Sequence, residues 1–159
     1  MYNTILLAVA LQNWEHYSAH ALAAREVAAT LAQGATNPLH VLSVYEYENP
    51  SLSGLSPDMA VRHREDMLRR TDNLMARRLD EFIAPLKEAG MAVQTSLRVG
   101  NPREVIVQVA LRVMADLLVM GSHSKRGMFD VVLGGTARQI TSRAPCTVLL
   151  VSPTAQGTK

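Results

Sequence analysis

The chain has one cysteine, Cys146, so no disulfide can form within it. A lone thiol of this kind fits a reducing compartment, and the expectation is a cytoplasmic protein. Charge of neither sign is in excess: 16 basic against 14 acidic residues leave a net charge of +2, too little to argue for a nucleic-acid partner. No apolar run approaches the roughly 18 residues that would cross a bilayer, so no membrane partner is expected. The N-terminal MYNTILLAVALQNW lacks a basic region ahead of its apolar run, and that run has strand length, so it does not read as a signal peptide. Internal repeats and low-complexity segments are missing too. So are a G-x-S-x-G elbow, a Walker A lysine motif and paired loop carboxylates, and no nucleophile–base–acid set is visible.

What remains is an ordinary globular composition, 48% hydrophobic and 19% charged over 159 residues, enough to bury one core. Residues 1–152 read as one α/β domain and 153–159 as a polar tail. Strands are expected at 5–9 (ILLAV), 38–44 (PLHVLSV), 91–99 (MAVQTSLRV), 117–120 (LLVM) and 147–151 (TVLLV). The third partly alternates, as a more exposed strand near an edge would. Helical spacing of apolar residues marks 16–33, 59–89, 103–114 and 130–143. Gly34 and Gly90 are stops, and Pro85 is expected to kink the second helix or end it early. Residues 45–57 hold Asn49, Pro50, Gly54 and Pro57 and read as a loop.

Strictly alternating strands and helices imply a doubly wound parallel sheet covered on both faces. Ligands of such sheets sit outside the carboxyl ends of the strands, where strand order reverses. The stretch 117–151 draws attention there: an apolar strand ending in Met120 runs into Gly121, a small basic loop (Ser122, His123, Ser124, Lys125, Arg126), then Gly134, Gly135 and Thr136 at the start of a helix. Strand, glycine loop and helix N-terminus together present backbone N–H groups to a phosphate. Isolated glycines can equally serve turns and close helix–strand packing.

The pattern G-x2-[G]-x9-G-[S/T] between LLVMG and APC-x-VLLV resembles the universal stress protein family. ILLAV, LHV, GNPREVI and DLLVMGSHSKRG follow in the family's order over nearly the whole length. The resemblance implies a single-domain, five-stranded parallel sheet in the order 3-2-1-4-5, and a homodimer formed along the last strand, from Cys146 to Val151. It also implies an adenine nucleotide (ATP, ADP or AMP) in the cleft between strands one and four, with Mg2+ only as the nucleotide's companion. Phosphates would lie on Gly121, Ser122, Ser124, Gly134, Gly135 and Thr136, with Lys125 and Arg126 supplying charge. Val41 and the strand end Ala8, Val9 and Ala10 would flank the adenine. Three positions depart from the family pattern: its aspartate falls on Ala10, its second glycine on Ser124, and its serine or threonine on Gly135. Backbone donors survive such changes, but a metal-bridged triphosphate loses an acid at Ala10. The competing reading is therefore a dimeric stress or interaction protein with a degenerate pocket. At most a weak ATPase is implied, since no base is placed to activate water.

Other residues read more plainly. His16 and His20 are four apart but lack a third ligand, and read as surface or capping histidines rather than a zinc site. His123 is either a loop-orienting or phosphate-touching residue or a simple polar one. Cys146 reads as buried and structural, and Asp130 as a cap. The arginines of the second helix alternate with acids, which describes a solvated face.

Overall fold

The computed structural model describes residues 1–10, 17–47, 51–122 and 135–153. The chain forms β1 (Ile5–Val9), α1 (Ala19–Ala32), β2 (Leu39–Tyr45), α2 (Pro57–Glu88), β3 (Val93–Val99), α3 (Pro102–Arg112), β4 (Leu117–Gly121), α4 (Gly135–Arg143) and β5 (Thr147–Val151). All strand pairs are parallel, and the sheet order is β3-β2-β1-β4-β5, as the resemblance implied.

The three inner strands read as unbroken apolar runs because both of their faces are covered. Alternate residues serve opposite layers. Ile5, Leu7, Val9, Leu39, Val41, Leu117 and Val119 pack with Ala21, Ala24 and Ala28 of α1 and with Leu79, Phe82, Ile83 and Leu86 of α2. Leu6, Ala8, Leu42, Val44, Leu118 and Met120 pack with Ile106, Val109 and Ala110 of α3 and with Ala137 and Ile140 of α4. The small alanines of α1 let that helix lie close to the strands. β3 is half exposed along its length, the edge strand its mixed sequence predicts. Asp116, just before β4, accepts the Asn3 and Thr4 amides at 2.8 and 3.0 Å and ties the amino ends of β1 and β4 together.

Helix boundaries follow their caps and differ from the sequence expectation by a few residues. Ser18 accepts the Ala21 amide at 3.1 Å, so α1 starts at Ala19. Ser56 caps α2, whose first residue is Pro57, and Asn101 caps α3 in the same way ahead of Pro102. At the far end of α2, the Gly90 and Met91 amides bond Lys87 O and Leu86 O, which spends Met91 on the helix and delays β3 to Val93. β2 runs on to Tyr45, paired with Val99, and β4 includes Gly121. Pro85 does not end α2, which runs three residues beyond it. Residues 130–134 of the expected fourth helix, Asp130 among them, lie outside the described residues.

Candidate functional site

A cavity of about 440 Å³ opens at the carboxyl ends of β1 and β4. Its volume lies within the range of about 300–1,000 Å³ typical of small-molecule sites. This is the place where the sheet order reverses: β2 lies on one side of β1 and β4 on the other. Ala8, Val9 and Ala10 of the β1 end, Val44 of β2, and Met120 and Gly121 of β4 form the floor. The starts of three helices frame it: Ser18, His20 and Ala21 from α1; Pro102, Arg103 and Ile106 from α3; Gly135, Thr136 and Ala137 from α4.

Seven of the residues singled out from sequence therefore come together here: Ala8, Val9, Ala10, Met120, Gly121, Gly135 and Thr136. Val41 does not line the cavity. It is 1% exposed in the middle of β2, on the face packed against α1 and α2, and the β2 residue at the cavity is Val44, on the opposite face nearer the strand end. Ser122 is engaged at the end of β5: its amide donates to Val151 O at 2.8 Å, and its hydroxyl lies beside Ser152 Oγ. His123, Ser124, Lys125, Arg126 and Gly134 lie outside the described residues, as does His16.

Gly121 has a packing reason to be glycine. A Cβ there would stand 2.9 Å from His20 Cβ and 3.1 Å from the His20 backbone, so the start of α1 can rest on the end of β4 only without a side chain. His20, read as a surface or capping residue, instead packs on the strand and lines the cavity.

The cavity joins two chemistries. Ala8, Val9, Val44, Ile106 and Met120 give an apolar wall. The same cavity carries the Thr136 hydroxyl and Arg103, whose Nη2 lies 3.4 Å from where a Cβ on Gly135 would sit. First-turn helix amides lack intrahelical partners and favour negative charge. Among the described residues the cavity lining holds no carboxylate, and no group of three or more His, Cys, Asp or Glu side chains is placed to hold a metal ion. Such a site suits a flat apolar body carrying an anionic group. Val44 ends the strand-two stretch 41–44 that the switch-point rule marks as a candidate. Ser18, His20 and Arg103 escaped the sequence reading because they come from helix starts far from the glycine loop. The capping residues Ser18 and Asn101 were the available signal, since a helix that follows a parallel strand begins at the ligand-binding end of the sheet.

Other reactive groups stay away from the site. Asp116 marks the opposite end of the sheet; partial burial pushes its pKa up, but the Asn3, Thr4 and Asp116 amides outweigh this and hold it below the usual carboxylate range. Burial, assisted by the Asp116 charge, raises the Cys146 thiol, which makes it a poor nucleophile. No described helix is long and apolar enough to cross a membrane.

Comparison with known proteins converges on one family. The model of the universal stress protein family matches residues 1–152. A universal stress protein of Thermus aquaticus, encoded in the QAH/OAS sulfhydrylase 3' region, is 32% identical over 151 residues, covering 95% of this chain and 99% of that one. Among solved structures, MJ0577 of Methanocaldococcus jannaschii superposes with a TM-score of 0.71 at 20% identity, covering 99% of each chain. The universal stress protein of Archaeoglobus fulgidus in complex with dAMP superposes with a TM-score of 0.57 at 20% identity, over 94% of this chain and 97% of that one. The fold, the switch-point cavity and the whole-length match agree: this chain belongs to the universal stress protein family.

Proposed function

We propose that this protein binds an adenine nucleotide in the cavity between β1 and β4 and acts as a non-catalytic regulator in a cytoplasmic stress response. The observation that carries this reading is one switch-point cavity that combines apolar residues with Arg103 and the Thr136 hydroxyl. The relative from Archaeoglobus fulgidus with dAMP bound supports the adenine class. Within this reading the base lies against Ala8, Val9 and Val44, and the phosphates face Arg103, Thr136 and the first turn of α4. Any Mg2+ arrives with the nucleotide's own phosphates. The cavity lining carries no carboxylate among the described residues, and in this reading the protein binds its nucleotide rather than turning it over.

The regulatory output runs through a dimer built on β5. This strand closes one edge of the sheet, and its Val148, Leu149 and Leu150 are only half buried. An apolar edge strand is a natural surface for a second copy.

One observation favours the competing reading, a dimeric interaction protein with an unused pocket. Packing against His20 alone accounts for Gly121, so this glycine does not require a phosphate. Isothermal titration with ATP, ADP and AMP separates the two. Saturable heat is expected, with a thermal shift reflecting about 2.7 kcal/mol at a hundredfold excess over Kd. No heat and no shift at millimolar nucleotide would leave the pocket unused.

A further inference from the structure

We infer that Arg103 is the residue that recognises the ligand's anionic group, and that it makes the cavity selective for a phosphorylated ligand over the corresponding nucleoside. The inference rests on the nucleotide reading for the identity of the base, but not for the recognition of the anion.

The argument is electrostatic. Arg103 sits in the first turn of α3, directly after Pro102, and the Asn101 side chain accepts its amide at 2.9 Å. Cap and proline fix the backbone from which the side chain projects. The guanidinium lines the cavity and stands against Gly135 of the neighbouring α4. A cation is therefore held in the first turn of α3, where the helix dipole disfavours positive charge. Glu104, in the same first turn, is exposed and adjacent in sequence, and neighbouring residues on a helix do not face each other. The ion pairs among the described residues are Arg25–Glu26 and Arg70–Asp66, so no described carboxylate neutralises Arg103. The arrangement is costly when empty and favourable once an anion enters. A guanidinium offers a planar fork of donors that fits two phosphate oxygens at once. The small residues Gly135 and Ala137 leave room for it.

The test is titration calorimetry on the full chain with AMP, adenosine and pyrophosphate, for wild type, Arg103→Gln, Arg103→Lys and Arg112→Gln. The last removes the same charge from an exposed position on the same helix. Wild type should bind AMP well above adenosine. Arg103→Gln should weaken AMP roughly ten- to a hundredfold, the range for a hydrogen bond to a charged group, and leave adenosine unchanged. Arg103→Lys should recover part of the loss, because it keeps the charge without the fork. Arg112→Gln should match wild type, and melting curves should show all variants folded.

Equal AMP affinity in wild type and Arg103→Gln would overturn the inference while the nucleotide reading stands. Equal binding of AMP and adenosine to wild type would do the same. If AMP does not bind but pyrophosphate binds in an Arg103-dependent way, the nucleotide reading falls and the inference holds. If wild type binds neither AMP nor pyrophosphate, both fall.

Discussion

A methyl group at position 121 has nowhere to go. Gly121→Ala would press its Cβ into the His20 side chain and backbone, and neither can yield without moving α1. The expected cost is about 1–3 kcal/mol, as for other overpacked sites, read as a lower denaturant midpoint. Because the start of α1 frames the cavity, nucleotide affinity should fall in the same variant. The opposite case is Met114. α2 and α3 end in the same hydrogen-bonded motif: Gly90 and Met91 bond Lys87 O and Leu86 O, while Met114 and Ala115 bond Leu111 O and Ala110 O. Both motifs need a left-handed residue, with φ of 81° at Gly90 and 53° at Met114, but only α2 supplies glycine. Met114 is 82% exposed and has little packing to lose. Met114→Gly should therefore stabilise the fold by about 0.5–1 kcal/mol, less any gain in unfolded-chain entropy. A drop in the melting temperature would contradict this.

Among the elements, α2 holds the clearest departure from the sequence expectation. Pro85 removes an amide and crowds the carbonyl of Glu81, which is why a kink or early end was expected. The helix continues because its neighbours compensate. Leu79, Phe82, Ile83 and Leu86 are buried on both sides of the proline, and Arg25 of α1 donates to Phe82 O at 2.9 Å while its guanidinium stands 5.2 Å from the Phe82 ring centre. Arg25→Ala should cost about 1–2 kcal/mol. The strands were legible because burial on both faces writes continuous apolar runs. Their limits were less so, because caps and terminal hydrogen bonds, such as the one that takes Met91 into α2, decide them residue by residue.

For the whole molecule, the sheet order decides what meets what. Ala8, Val9, Ala10, Met120 and Gly121 were legible as site residues because they end strands on either side of the switch point. Arg103 and His20 were not, because only the folded crossovers bring the starts of α1 and α3 over β1 and β4. Val41 was placed by the family pattern and by its position toward the end of β2, and strand alternation turns it toward α1 and α2.

Stability of the whole fold carries a pH signature. Burial lowers the pKa of His40 in β2 below its ordinary 6.5, so the folded state prefers the neutral ring. Its contribution is complete above about pH 6.5 and is lost as pH falls from there through the lower folded value. Asp116, with a depressed pKa, adds a second loss at lower pH, as its carboxylate protonates. Melting temperatures should decline between pH 7 and 5, and His40→Gln should flatten that limb; an unchanged slope would remove His40 as its cause.

The central claim is that the cavity at the ends of β1 and β4 holds an adenine nucleotide. An amide chemical-shift titration of the full chain with AMP tests it most directly. The account predicts saturable shifts centred on Ala10, Arg103, Gly121, Thr136 and Ala137, with the Asp116 end of the sheet unmoved. Shifts clustered elsewhere, or none at millimolar AMP, would contradict it.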